Sequence, residues 1–340
     1  MIRRLPLLPT LLVLALLVAS VLLLGVAFGD VHLAPTALLR AAAHRLLPSA
    51  VADADTYVSQ IFDLRLPRVL VAALVGACLA VSGAVLQGVT RNPLADPYTA
   101  GVSSGAAVGA SLATVFGWAA LWHGAGGSLL AFGAAMATLL LVFALSRVGG
   151  RVSTAGFLLS GVVVGSFLWS VTTLILYRAR QDQTAIFGFL LGRFGDATMA
   201  QVALLAPLTL LAVAGFAAAG RGLDAFAFGE EVARGAGIET ERFKTGALLG
   251  AAFLTAATVS VAGIIGFVGL IAPHAARALV GPVHRGAVPA SALLGATLCV
   301  LADLLARAVP TGGAELPVGV VIALLGTPFF AVLLRRASGV

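Results

Sequence analysis

Charge is scarce in this sequence. Only 10% of its 340 residues are Asp, Glu, Lys or Arg, against roughly 25% in an ordinary soluble domain. With 60% of the residues hydrophobic, no water-soluble fold could hide the apolar surface. Lysine is rarer still: Lys244 stands alone. A phosphate-cradling loop needs G-x-x-x-x-G-K-[ST], and Lys244 follows Phe243 rather than glycine, so the chain carries no ATP-binding P-loop. Cysteine is scarce too. Cys78 and Cys299 sit inside apolar runs at no metal-ligand spacing and read as packing residues rather than redox or zinc ligands. His32, His44, His123, His274 and His284 are dispersed, and no Ser/His/Asp grouping offers an active site. The reading is therefore of no catalytic residues, no metal ligands and no cofactor held by this chain. A formal charge of +7 could suggest nucleic acid. The basic residues are scattered through loops, however, with no basic stripe or aromatic platform, so the charge serves topology.

What is abundant is long apolar sequence. Each bilayer crossing needs about 20 apolar residues, and hydropathy places spans near 5–27, 69–90, 98–117, 128–146, 155–177, 200–219, 245–264, 266–281, 287–306 and 317–334. Backbone amides in lipid must be satisfied within the segment or in a closed barrel. Runs such as Val69 to Val89 do not alternate, which selects helices. The stretch after Arg3 and Arg4 exceeds a signal-peptide core of about 7–15 residues and counts as the first span. The expected fold is an all-α membrane protein of about ten helices, a single polytopic domain over 1–340. Gly263, Gly266, Gly269 and Pro273 interrupt residues 245–281, where short or broken helices are expected.

The basic residues set the orientation. An inward N-terminus puts Arg40, Arg45, Arg65, Arg68, Arg178, Arg180, Arg193 and Arg307 outside and the other thirteen of the 21 inside, with both termini inside. A gapless shift of 180 residues produces 12 identities between residues 72 and 111, Gly83/Gly263, Pro93/Pro273 and Gly101/Gly281 among them, where composition gives roughly 4. The first copy begins in an inward-running span and the second in an outward-running one. Such inverted repeats are a transporter architecture.

Small residues recur at spacing four, as in Gly101, Gly105 and Gly109, in Gly161 and Gly165, and in Gly246 and Gly250, a packing signal. The inward loop 221–244 concentrates charge. Its Phe228 to Gly237 core reads as a short helix with Glu230 and Glu231 early and Arg234 late, as the helix dipole prefers. A solvated loop and a helix docking on a cytoplasmic partner both fit that pattern. Asp303 and Arg307, four apart near an outer helix end, can pair on one face; an ion- or proton-coupled secondary transporter remains the alternative transport class.

Several stretches resemble the FecCD, or cobalamin-permease-like, family of ABC importer transmembrane subunits for iron-siderophores, haem and cobalamin. They are Leu64-Arg65-Leu66-Pro67-Arg68, Gln87 to Pro97 (QGVTRNPLADP), Gly101 to Ala107 (GVSSGAA), Gly229-Glu230-Glu231, Gly266 to His274 (GFVGLIAPH) and Glu315 to Val320 (ELPVGV), in family order over nearly the whole chain. The resemblance implies a type II ABC importer permease fold working as a homodimer in the bacterial cytoplasmic (inner) membrane. Two cytoplasmic ATPase subunits would use ATP and Mg, and a periplasmic or lipid-anchored binding protein would deliver a bulky metal chelate. It implies coupling residues at Gly229, Glu230, Glu231, Ala233, Arg234 and Gly237, and docking arginines at Arg65, Arg68 and Arg307. It implies gates at Asn92 and Leu94 and at Thr154 and Ala155, the last departing from the hydroxyl residue associated with that gate. Ser160, Ser166, Ser170 and Thr172 would line the path, unless their hydroxyls bond back to their own helix.

Overall fold

The computed structural model describes residues 5–29, 35–46, 56–122, 124–149, 151–309 and 315–337. Arg3 and Arg4, on which the inward N-terminus rests, and His32 and His123 lie outside them. Among the described residues there are fourteen α-helices: α1 Leu7–Ala27, α2 Pro35–Leu46, α3 Thr56–Thr90, α4 Val102–Val115, α5 Gly126–Leu145, α6 Thr154–Arg178, α7 Gln183–Leu190, α8 Met199–Ala218, α9 Gly220–Ala227, α10 Glu230–Gly235, α11 Thr240–Ala262, α12 Val268–Val280, α13 His284–Ala308 and α14 Val318–Ala337. Strands β1 (Arg147–Val148) and β2 (Arg151–Val152) pair as a small antiparallel hairpin before α6. Among the described residues, seven helices are long and apolar enough to cross a membrane, and three shorter apolar ones accompany them: α4, α12 and the first part of α14. These ten match the ten hydropathy spans one for one. The chain is a multi-pass membrane protein.

α3 begins well before its expected start at residue 69. Asp63, Arg65, Pro67 and Arg68 read as loop in hydropathy, yet all lie within the helix, which projects past the apolar zone to meet α2 through an Arg45–Asp63 ion pair. The stretch from Arg68 to Gly88 is about 30 Å long at 1.5 Å per residue, one hydrocarbon thickness. At its first end, end I, Arg68 meets Asp303 of α13 and Glu315. At end II, Gly88 packs on His284 at the start of α13.

α3 is the axis of the molecule, almost wholly buried, with α11 and α13 the next most enclosed; α1, α6 and α8 are mostly uncovered. Close approach makes this core possible. A Cβ on Gly76 would intrude on the carbonyl of Gly295, and one on Gly295 would intrude on that of Gly76, so the α3 and α13 backbones nearly touch. The four-spaced glycines mostly serve packing as expected. Gly105 and Gly109 of α4 lie against Ala134, Thr138 and Leu130 of α5, and Gly161 of α6 lies against Thr99. Gly246 differs, facing open space.

Helix directions give the inverted repeat a firmer basis than the 180-residue shift. Helices α3, α4, α5 and α6 run I to II, II to I, I to II and II to I, whereas α11, α12, α13 and α14 run in the opposite senses, as their end contacts establish. In this pairing the two short helices, α4 and α12, correspond. The gapless register fits α3 to α11 alone. Past Gly83/Gly263 it slips by one helix and sets α4 on α13, two helices running the same way.

Candidate functional site

Each short helix is preceded by a break inside the molecule. Before α12, Gly263 (φ 73°, ψ −161°) and Phe267 (φ 66°) turn the chain sharply, conformations that glycine takes freely and phenylalanine rarely. Before α4, Asp96 caps a 3-10 turn at Pro97–Ala100 by accepting from the Tyr98 N–H. Non-helical backbone at membrane depth survives only where protein satisfies it. Here the Tyr98 hydroxyl donates to the Ile265 carbonyl at 2.9 Å and accepts from the Ile265 N–H at 3.0 Å, so one phenol joins the two breaks.

Pro273, expected as an interruption, sits inside α12 without ending it. Its missing N–H would have bonded the Gly269 carbonyl. Gln87 of α3 takes that place, its amide nitrogen donating to Gly269 O at 3.0 Å while its oxygen accepts from Arg277 at 2.7 Å. Tyr98, Gln87 and Arg277 were not among the sequence candidates for function. Gln87 belongs to the Gln87–Pro97 stretch that carries the family resemblance, and a glutamine in an apolar span is its sequence signal.

End II gathers the expected inward elements. Gly229 (φ 122°) starts α10 and Gly237 (φ 82°) follows it. Glu230 and Ala233 turn inward, whereas Glu231 and Arg234 face out beside Phe228 and Val232, which are 80% and 53% exposed. Lys244, with 4% of its side chain exposed, donates to Glu230 at 3.0 Å and to Glu241 at 2.9 Å. The other carboxylate oxygen of Glu241 accepts from the Val152 N–H at 3.1 Å. Nearby, Asp224 of α9 accepts from both the backbone N–H and Nδ1 of His284, at 2.9 and 2.6 Å, holding the loop to α13.

The gate candidates lie at this end too. Asn92 accepts from the Leu94 N–H at 2.9 Å in a tight turn that leaves Leu94 exposed. Ser153 caps α6 by accepting from the Gly156 N–H, just before Thr154 and exposed Ala155. Farther along α6, Ser166, Ser170 and Thr172 donate to Val162, Ser166 and Leu168 carbonyls of their own helix. Ser166 and Ser170 lie on the face that protein leaves uncovered, whereas Thr172 is buried and Ser160 partly so.

At end I the three arginines cluster, but they are not free cations. Arg65 donates to the last carbonyls of α1, those of Val26 and Ala27. Asp303, fully buried, receives Arg68 at 2.8 Å and Arg307 at 3.1 Å, and Arg307 also reaches the Gly25 and Phe28 carbonyls. The expected Asp303–Arg307 pair thus forms, and Arg68 joins it. Glu315 bonds Arg68, which holds its carboxyl below the usual glutamate range. Cys78 and Cys299 are buried in the core, Cys78 against Thr209 at 3.1 Å.

A multi-pass helical protein with two broken half-helices at its centre, an inverted repeat and a charged loop at one end is of the membrane permease class. The chain belongs to the FecCD transport family, whose model matches residues 14–336, and it is the transmembrane permease subunit of an ABC importer. It is similar to the uncharacterized ABC transporter permease protein YvrB of Bacillus subtilis (strain 168), 39% identical over 318 residues, 93% of this chain and 90% of that protein. The cobalamin import system permease protein BtuC of Halobacterium salinarum is 43% identical over 272 residues, 80% of this chain and 72% of the relative. A solved chain described as an inward-facing, metal-chelate type ABC transporter superposes with a TM-score of 0.80 at 30% identity, covering 96% of this chain and 99% of its own.

Proposed function

We propose that two copies of this chain form a path through the bacterial cytoplasmic membrane for a bulky metal chelate, an iron-siderophore, haem or cobalamin. Two separate ATPase subunits supply the energy at end II, and a binding protein delivers cargo at end I. The observation that carries this reading is the face of α10. Phe228 and Val232 are exposed there beside Glu231 and Arg234, in a loop too charged to lie in lipid. Apolar side chains exposed outside the bilayer call for a protein partner. Gly229, Glu230, Ala233 and Gly237 shape and anchor that knob rather than touch the ATPase.

At end I, Arg65, Arg68 and Arg307 stand close together, a grouping that suits an acidic binding-protein surface. Near the centre of the proposed dimer, the uncovered face of α6 lines the path, with Asn92, Leu94, Thr154 and Ala155 at its inner mouth. Small, self-bonded hydroxyls such as Ser166 present little that grips a ligand, which suits a path that leaves selection to the binding protein.

The test is uptake into vesicles holding the permease with its host ATPase and binding protein, using labelled ferric hydroxamate, haemin and cyanocobalamin. One of these enters only with ATP, and Phe228→Asp abolishes both uptake and ATPase co-purification. Uptake that persists without the ATPase and collapses with the proton gradient overturns the reading in favour of a secondary transporter.

A further inference from the structure

The buried Lys244 occupies a position that neither the family resemblance nor the gate candidates explain. It is the chain's only lysine, and its ammonium joins three elements. Glu230 belongs to α10, Glu241 to the first turn of α11, and Glu241 in turn holds Val152 of β2. β2 leads directly into Ser153, the cap of α6, and so into Thr154 and Ala155. Among the described residues, Glu230–Lys244 is the ion pair that ties α10 to the membrane helices. α10 itself is six residues long between two glycines with positive φ, Gly229 and Gly237, a short rigid piece between two permissive joints.

We propose that Glu230, Lys244, Glu241 and the Val152 N–H form a line of positioning contacts through which displacement of α10 moves the N-terminus of α6. The proposal rests on α10 being the ATPase contact. Displacement of α10 without Lys244 would leave the buried ammonium with one carboxylate in place of two, a cost that draws it after α10 when that helix shifts. Glu241 is then pulled by one oxygen while the other holds β2. Lysine suits this place because its ammonium is a compact point charge with three donors, able to serve two carboxylates at once.

The test uses the whole permease–ATPase complex in lipid vesicles with a spin label on Ala155→Cys in both copies; Cys78 and Cys299 are buried. The readout is the change in label separation on adding Mg-ATP with orthovanadate. Lys244→Met cuts that change about fivefold or more, the lower range of an allosteric coupling. Lys244→Arg restores most of it, and Glu241→Gln, which keeps an oxygen for Val152, falls between. A contact that only stabilised the fold would lower the melting temperature and leave the nucleotide-driven change intact. Full gate response in Lys244→Met overturns the proposal. Should that variant fail to accumulate, full response in Glu241→Gln does the same. No nucleotide-driven change in the Ala155→Cys background alone would sink the α10 reading itself, and the line of contacts with it.

Discussion

Tyr98 and Ile265 are joined twice: one hydroxyl satisfies both the carbonyl and the amide of a residue at the break between α11 and α12. The arrangement links the two halves of the inverted repeat where each is weakest, since a break in a membrane helix leaves backbone groups that lipid cannot solvate. Tyr98→Phe removes both bonds and keeps the ring. It is expected to destabilise the detergent-solubilised protein by about 1–3 kcal/mol, the penalty for buried backbone groups left unpaired, read as a lower melting temperature. An unchanged melting temperature would show that other groups satisfy Ile265.

The arginine cluster separates a buried anion from an exposed one. Asp303 neutralises Arg68 and Arg307, which are 11% and 5% exposed. Asp303→Ala removes the buried carboxylate that both guanidiniums face, leaving Arg68 with Glu315 alone, and is expected to cost about 3–5 kcal/mol. Glu315 pairs with the same Arg68 but is 47% exposed, and Glu315→Gln is expected to cost less than about 1 kcal/mol.

That weaker pair also has a pH signature. Arg68 lowers the Glu315 carboxyl relative to its unfolded value, so its stabilisation is present above the unfolded pKa and lost as pH falls through the lower folded one. The melting-temperature gap between the wild type and Glu315→Gln should therefore be visible near neutrality and close as pH drops below about 4. A gap that widened on acidification would reverse the assignment.

Glycines that look alike in sequence differ in consequence. Gly76 touches the Gly295 backbone, and an added methyl forces α3 away from α13; Gly76→Ala is expected to cost about 1–3 kcal/mol by overpacking. Gly246 in α11 faces open space, so Gly246→Ala is expected to be neutral or stabilising by up to about 1 kcal/mol through helix propensity. Thermal unfolding of the two variants should move in opposite directions, or the first alone should move.

Hydropathy was sufficient for the ten apolar helices because the bilayer imposes a length and a polarity on each. It failed at Asp63 to Arg68, where α3 continues beyond the apolar zone and charge was mistaken for a loop. The break near Gly263 was legible from its glycines, but Phe267 at positive φ was not, since its strain is repaid by tertiary contacts. Motif resemblance supplied Glu230 and Asn92 but said nothing of what holds them. Gln87 and Tyr98 act through partners far away in sequence, at Gly269 and Ile265, and Lys244 joins Glu230 across the turn between α10 and α11; no helical spacing encodes such pairs. The rarity of lysine and glutamine in apolar surroundings was the one hint.

Gln87 and Pro273 offer the sharpest test of that long-range logic, because the structure assigns them complementary defects. Pro273 removes the N–H that the Gly269 carbonyl would receive from within α12, and Gln87 supplies a substitute across the helix interface at 3.0 Å. Gln87→Leu therefore strands the Gly269 carbonyl and releases Arg277 from its 2.7 Å bond, with an expected cost of about 2–4 kcal/mol for two buried polar groups. Pro273→Ala restores the internal N–H, so the carbonyl no longer depends on Gln87. The double variant should accordingly lose less stability than the sum of the singles, by about 0.5–3 kcal/mol of interaction energy. Simple additivity in a thermal-unfolding cycle would mean that Gln87 stabilises α12 by packing alone, and that the carbonyl left free by Pro273 finds its partner elsewhere.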